Sequence, residues 1–301
     1  MTVGAGPMLE CVPNFSEGRD SGKIRQIILA LRQPGMMLLD YSADRDHNRM
    51  VVTVAGPPEA VVEGAVCAVG VAAKLIDLRE HRGVHPRMGA ADVVPFVPIY
   101  GITLERAAEL ARHAGGKMYR RFGVPVFFYE SAAEREEMRR LENVRRGQFE
   151  GTAALGKLPD LGGELHASAG AAIVGARNFL VAYNLLLETT DVSIAKQIAR
   201  QVRESGGGFK SVKALGVRVR GQAQVTVNVT NFHEAPVELV FERVKELAAE
   251  FGTKIREGEL IGLVPEAALA AGINWTRVIP GYRPETKVLE RRLERPMAWP
   301  D

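Results

Sequence analysis

A strict alternation of apolar and polar residues runs through Gln222-Ala-Gln-Val-Thr-Val-Asn-Val-Thr230. A period of two is typical of a strand that has one face in a core and the other in water. A helical pattern follows, in which Pro236 stands at a first-turn position and apolar residues recur every three or four positions up to Gly252. The stretch therefore predicts a strand followed by a helix.

The flanking segments extend this pair to six elements. Asp191 is a predicted N-cap for a helix whose apolar residues include Ile194, Ile198 and Val202. The remaining predicted elements are strands at 179–187, 212–219 and 254–261. The order is strand, helix, strand, strand, helix, strand.

The first half of the chain shows the same order. Its predicted elements are a strand at 9–13, a helix at 24–31, strands at 36–41 and 50–55, a helix at 58–78 and a strand at 92–98. The sequence therefore predicts an α+β protein of two tandem ferredoxin-like βαββαβ subdomains, at 1–178 and 179–301. Since both helices of such a subdomain cover one sheet face, we expect the two open faces to meet across a polar groove that binds a ligand.

The region between these two repeats is less regular. It predicts a helix at 104–113, a strand at 124–129 and a charged helix at 132–141. Five glycines and few large apolar residues between Gly147 and Gly163 predict a linker or inter-unit loop.

The composition is that of an ordinary globular protein, because 46% of the 301 residues are hydrophobic and 25% are charged. With 39 basic against 36 acidic residues the net charge is +3, which gives no reason to expect a nucleic-acid partner. Cys11 and Cys67 form no CxxC motif, so we expect reduced thiols and a cytoplasmic protein. We find no export signal at the N-terminus and no apolar run of about 20 residues, so we predict no membrane span.

The densest polar cluster is Arg79-Glu-His-Arg-Gly-Val-His-Pro-Arg-Met-Gly-Ala-Ala-Asp92. His81 and His85 have the spacing of a zinc pair on a helix, but Gly83 and Pro86 argue against a helix, so we predict no metal site. A histidine between a helix end and a strand start can move protons beside anions. The alternative is an exposed basic loop.

A second cluster, Asp44-Arg-Asp-His-Asn-Arg49, leads into a strand. Aspartate and asparagine favour turns, so a plain hairpin connection is one interpretation. The other is a binding site, in which Asp44 or Asp46 faces a cationic ligand group and Arg49 binds a carboxylate.

Several blocks together resemble one family, the glutamate formimidoyltransferases, which includes the formiminotransferase domain of formiminotransferase-cyclodeaminase. The blocks are Glu10-Cys-Val-Pro-Asn-Phe-Ser-Glu-Gly18, Asn48-Arg49, His85-Pro-Arg-Met-Gly-Ala-Ala-Asp-Val-Val-Pro-Phe96, Val174-Gly-Ala-Arg177 and Val181-Ala-Tyr-Asn184. The resemblance implies two facing ferredoxin-like subdomains in a homodimer. The implied activity is transfer of the formimino group of N-formimino-L-glutamate to N5 of tetrahydrofolate, without a metal.

The resemblance also implies roles for particular residues. The family's catalytic proton donor is the histidine of the HPRMG motif, which is His85 here, and we expect it to have a pKa near neutrality. Asn48 and Arg87 join Asp44, Asp46 and Arg49 as candidate substrate contacts. Ala167 stands where the family commonly has proline. The implied folate loop comprises Gly162, Gly163, Glu164, Leu165, His166, Ala167, Ser168, Ala169 and Gly170.

Other functions stay open at this point. A formyltransferase would use formyl donors or 5-formyltetrahydrofolate. A basic ferredoxin-like RNA-binding module is a second class, although only 6% of the residues are aromatic. A zinc hydrolase built on His47, His81 and His85 is a third. Within the transferase hypothesis we expect His81→Ala and His113→Ala to lower turnover much less than His85→Ala does, and Gly170→Val to raise the folate KM more than it changes stability.

Overall fold

The structure of the protein is a computed structural model that describes residues 6–83, 85–269 and 273–301. Two compact units divide the chain: unit 1 is Met1–Arg177 with Pro296–Asp301, and unit 2 is Asn178–Arg295. Each unit combines one β-sheet with helices, so the protein is α+β. Val84 of the basic cluster and the first five residues of the N-terminal segment lie outside the described residues.

Seven strands form the sheet of unit 1 in the described residues. They are β1 (Met8–Cys11), β2 (Asn14–Phe15), β3 (Met37–Asp44), β4 (Arg49–Gly56), β5 (Ala91–Tyr100), β6 (Val126–Glu130) and β7 (Ala172–Ala176). β1 and β2 follow each other along one line and pair antiparallel with both β4 and β5. β3 extends the sheet beyond β4, and β7 and then β6 extend it beyond β5 by parallel pairing.

The helices of unit 1 are α1 (Ser21–Ala30), α2 (Pro58–Leu75), α3 (Leu104–Phe122), α4 (Leu141–Arg145) and α5 (Gln148–Gly151). Asp20 caps α1 by accepting from two backbone N–H groups, and Thr103 caps α3. The three long helices pack on one face of the sheet and share a core with it. A smaller apolar cluster on β5, β6 and β7 includes Val144 of α4. The two clusters cover opposite faces at this end of the sheet.

Unit 2 contains β8 (Val181–Leu187), β9 (Val212–Val219), β10 (Gln222–Val229) and β11 (Ile255–Ile261), and the helices α6 (Val192–Val202), α7 (Val237–Glu250), α8 (Trp275–Val278), α9 (Pro284–Lys287) and α10 (Leu289–Glu294). The antiparallel strand order is β11-β8-β10-β9. In β10, buried residues alternate with half-buried ones, as the period of two predicts. Asp191 caps α6 as predicted.

Three predictions for residues 104–163 are wrong. α3 continues to Phe122, because Gly115 lets the helix approach Phe128 closely and does not end it. The charged helix at 132–141 is replaced by a 3₁₀ turn, Glu136–Met138, and by α4. The segment 147–163 belongs to unit 1 and is no inter-unit loop; its Asp160 accepts hydrogen bonds from Phe128 N–H and from the Arg135 side chain.

The C-terminal residues pack on unit 1. Near the C-terminus, Met297 N–H donates to Leu38 O at 2.8 Å, so the last residues return to the sheet of unit 1. No helix in the described ranges has the length and apolar character that crossing a membrane requires.

Candidate active site

His85 lies in the segment between α2 and β5 and makes two short polar contacts. Its Nε2 is 2.6 Å from Nη1 of Arg49, and its Nδ1 is 2.6 Å from the carbonyl oxygen of Pro86. A guanidinium only donates and a carbonyl only accepts. We therefore assign the proton to Nδ1, which leaves Nε2 as an acceptor occupied by Arg49.

Arg49 is the first residue of β4, and the sheet register brings it to Asn14 on β2. Its Nη2 donates to Asn14 Oδ1, while Nε is buried and has no hydrogen-bond partner. Burial, followed by the nearby charge of Arg145, lowers the pKa of Arg49 to about 10. The guanidinium therefore remains charged at neutral pH.

A buried ion pair fixes the other side of the His85 segment. Asp92, the second residue of β5, is 2% exposed, and it pairs with Arg145 of α4. Its Oδ1 also accepts from Met88 N–H at 2.7 Å. The carboxylate thus ties the segment that carries His85 to the start of β5 and to α4.

These groups set the protonation of His85. Burial, followed by the charges of Arg49 and Arg145, lowers the pKa of His85 to about 4, while Asp92 opposes the shift. The expectation of a pKa near neutrality is therefore wrong. At neutral pH the ring is uncharged, so His85 must accept a proton before it can donate one.

The candidate substrate contacts on the hairpin 44–49 differ in exposure and in hydrogen bonding. Asp44 Oδ1 accepts from the N–H groups of Asp46 and His47, each at 2.8 Å. These bonds lower the pKa of Asp44, and the bond from the backbone of His47 has the largest effect. Asp44 and Asp46 are both exposed. Asn48 is buried, accepts from Gly18 N–H and donates to Arg82 O, so its side chain braces the loop behind Arg49.

The three histidines considered for zinc have separate partners. His81 is buried with Nε2 at 3.0 Å from Asn48 O, and burial lowers its pKa. His47 pairs with Asp44 at 3.2 Å, and its ring centroid is 6.1 Å from that of His85. Within the described ranges, no group of three His, Cys, Asp or Glu residues is placed to hold a metal ion. Because His81 is buried and bonded, we expect His81→Ala to lower stability, while its milder effect on turnover stays a prediction.

Arg87 contacts residues other than His85. It pairs with Glu150 at 2.6 Å and donates to Leu78 O at 3.3 Å. Both residues line a cavity of about 500 Å³ whose other lining residues are Leu78, Arg79, His81, Arg82, Gly83 and Phe149. The lining is rich in cations, with a single carboxylate.

The segment 162–170 pairs with the backbone that follows His85. Gly89 and Gly170 form an antiparallel bridge, and Ala90 N–H donates to Ala169 O at 2.9 Å. Within the loop, Nδ1 of His166 accepts from Ala169 N–H at 3.0 Å. Its exposed residues are Gly163, Glu164 and Ala167. The structure thus joins two sequence blocks that lie about 80 positions apart.

Gly170 has a structural role that the sequence analysis did not predict. Its φ is +67°, and an added Cβ would lie 2.1 Å from Met88 O. The expectation that Gly170→Val affects binding more than stability is therefore wrong. Gly163 has open space around its Cβ position and is the better residue for probing binding.

A second polar cluster lies on the same sheet. Glu10 of β1 is 4% exposed, and burial raises its pKa to about 7 although Arg177 opposes the shift. Burial likewise raises the pKa of Tyr129, which hydrogen-bonds with Arg177, to about 12. Unit 1 therefore holds buried ionisable groups beyond those around His85.

Sequence reasoning missed three residues of the site. Asn14 and Asp92 lie within the quoted blocks but have no role there; pairing between β2 and β4 brings Asn14 to Arg49, and the tertiary fold brings Asp92 to Arg145. Arg145 lies in a basic segment without apolar periodicity, so no signal in the sequence distinguishes it from its neighbours.

Comparisons with known proteins cover nearly the whole chain. The family model described as the N-terminal subdomain of the formiminotransferase domain matches residues 8–177, and the model described as the formiminotransferase domain matches residues 182–277. His85, Arg49, Asp92 and Arg145 all fall within the first match.

Curated relatives agree with these matches. The chain is 40% identical to a glutamate formimidoyltransferase of Streptococcus pyogenes serotype M1, over 95% of this chain and 98% of the relative. It is 37% identical to a glutamate formimidoyltransferase of Thermoplasma acidophilum, over 96% and 98%. A formimidoyltransferase-cyclodeaminase of Gallus gallus is 40% identical over 87% of this chain and 51% of its own length.

Proposed function

The chain belongs to the formiminotransferase family, and we propose that it is a glutamate formimidoyltransferase, which transfers the formimino group of N-formimino-L-glutamate to N5 of tetrahydrofolate. The observation that carries this conclusion is the identity of 37–40% with two enzymes of that name over 95% or more of the chain. Family membership favours a transferase over the RNA-binding module and the zinc hydrolase.

His85 is the proton carrier of the proposed reaction. When N5 bonds to the amidine carbon, the N5 proton passes to Nε2 of His85, which is uncharged at neutral pH. When the bond from that carbon to the glutamate nitrogen breaks, the same proton passes to the departing nitrogen. The products are the formimino-folate and glutamate, and His85 returns to its starting state.

Arg49 is the proposed anchor for a donor carboxylate. It is a partly buried cation that contacts the uncharged side chains of His85 and Asn14, and a carboxylate accepts two parallel bonds from a guanidinium. The contacts of Asn48 and Arg87 with the protein support indirect roles for them, in bracing the loop and in lining the basic cavity. Contact of Asp44 or Asp46 with the amidinium stays a prediction.

Residues 162–170 are the proposed folate loop. Two observations support this: the loop runs beside the segment that carries His85, and the space around Gly163 is open. A flat ligand needs such close access to the backbone. Tetrahydrofolate is a substrate in this proposal.

The strand and helix order of each unit supports a ferredoxin-like arrangement. The ligand groove between the sheets, the homodimer and the cytoplasmic location stay predictions.

The direct test incubates the purified chain with N-formimino-L-glutamate and tetrahydrofolate and follows 5-formimino-tetrahydrofolate. N-formyl-L-glutamate in a parallel reaction measures the preference between donors. Formation of the formimino product confirms the proposal, and transfer from the formyl donor alone would replace it by a formyltransferase.

A further inference from the structure

The atom that has to carry the proton is already occupied in the structure. The one lone pair of His85 Nε2 accepts a hydrogen bond from Nη1 of Arg49 at 2.6 Å, and Nδ1 donates to Pro86 O. A nitrogen that accepts a hydrogen bond from a guanidinium cannot at the same time take a proton from an attacking amine. Arg49 must therefore leave Nε2 before the reaction begins.

A negatively charged ligand can draw Arg49 away from His85, because the Arg49 guanidinium has no hydrogen bond to a carboxylate in the described residues. In the described part of the chain, its hydrogen-bond partners are His85 and Asn14, and its buried Nε has none. The neighbouring Arg145 is paired with Asp92. Arg49 and Arg145 thus share the one nearby carboxylate of Asp92, and this pair of guanidinium groups can take up one further negative charge.

We propose that a carboxylate of the bound donor takes the Arg49 guanidinium away from His85 Nε2 and thereby frees this nitrogen to carry the proton. Arg49 is then a positioning residue that couples donor binding to the readiness of His85. The inference rests on the proposed function, since it assumes a donor with carboxylates.

The charged and titratable groups that face His85 come from four parts of unit 1. Arg49 belongs to β4, Arg145 to α4 and Asp92 to β5, and His47 on the hairpin lies edge-on to the His85 ring with Asp44 beside it. Of these, Arg49 contacts the ring directly. A carboxylate on Arg49 cancels one of the two positive charges that add to burial in lowering the pKa of His85, so we expect this pKa to rise from about 4 when the donor site fills.

The test measures the pKa of His85 by NMR in the full chain labelled at histidine, without ligand and with L-glutamate, the dicarboxylate product. L-Glutamine amide, which has amides in place of both carboxylates of glutamate, is the matched ligand. We expect glutamate to raise the pKa of His85 by about 1 or more, a tenfold change in proton affinity, and L-glutamine amide to leave it unchanged. His113, exposed on α3, is the internal control.

Arg49→Met removes the cation while it keeps an unbranched side chain. We expect the pKa of His85 in this variant to be raised already without ligand and to stay constant when glutamate is added. Arg112→Met removes another partly buried arginine, on α3, and should reproduce the wild-type response.

The inference is overturned if saturating glutamate leaves the pKa of wild-type His85 unchanged, or if no saturable response to glutamate is found at all. The wild-type titration decides this even if Arg49→Met does not fold. Failure of the proposed function is a separate result, because it appears as an absence of formimino transfer in the product assay.

Discussion

Unit 1 and unit 2 share an order of strands and helices but bury different side chains. The buried charged and amide side chains of the described residues all lie in unit 1, and they include Glu10, Asn14, Asn48 and Asp92. Unit 2 buries an apolar cluster, and the polar residues of β10 stay half-exposed. Burying polar groups costs stability unless each is paired, so their concentration in one unit supports our proposal that unit 1 carries out the chemistry.

The largest expected effect comes from replacing one histidine of unit 1, His85. We expect His85→Ala to lower kcat by roughly 10² to 10⁴, the range for loss of general acid-base catalysis, with an unchanged circular dichroism spectrum. His113→Ala in unit 1 and His233→Ala in unit 2 remove exposed histidines and should keep normal turnover. Near wild-type turnover of His85→Ala would eliminate it as the proton carrier.

Two ion pairs compare burial directly. The side chains of Arg145 and Asp92 are 19% and 2% exposed, and Asp92→Asn leaves Arg145 without its ionic partner. We expect this change to lower the free energy of unfolding by about 3 to 5 kcal/mol. Glu188→Gln breaks a pair in unit 2 with side chains 73% and 43% exposed, and the loss should stay within about 1 kcal/mol. Urea unfolding measures both. Equal losses would contradict the view that unit 1 depends on buried charge.

The pH dependence of stability should also follow unit 1. Burial raises the pKa of Glu10 from 4.5 to about 7, so between these values the folded state keeps a proton that the unfolded state has lost. Glu10 therefore destabilises the fold as pH rises through this window, by about 3 kcal/mol in total. Urea unfolding at pH values below and above the window checks this. Glu10→Gln should gain stability relative to wild type as pH rises, and a constant difference would show that Glu10 does not titrate there.

The smallest expected effect concerns the exposed hairpin of unit 1. If Asp44 or Asp46 faces the amidinium, its conversion to Asn should weaken the binding of N-formimino-L-glutamate by about 10-fold relative to that of N-formyl-L-glutamate. The reason is the loss of a charge-assisted hydrogen bond of about 1.5 kcal/mol. KM values for both donors measure this. Equal effects on the two donors would make both residues ordinary turn residues, as the hydrogen bonds of Asp44 within the turn already suggest.

Local patterns were sufficient for the regular elements. The alternation at 222–230 and the cap at Asp191 each depend on neighbours in the chain, and the structure confirms both. Residues 132–163 were interpreted wrongly, because their short turns are held by contacts such as Asp160 with Phe128 N–H, which join residues about 30 positions apart.

The sequence by itself determined the order of strands and helices, the resemblance to one family and the choice of His85, because periodicity, caps and motifs are local. The tertiary structure decided the state of that histidine. Burial, followed by the charges of Arg49 and Arg145, lowers its pKa to about 4, and its tautomer is set by contacts with Arg49 and the carbonyl oxygen of Pro86. The physical reason is that burial and the distance between charges, which set protonation, exist only once the chain has folded.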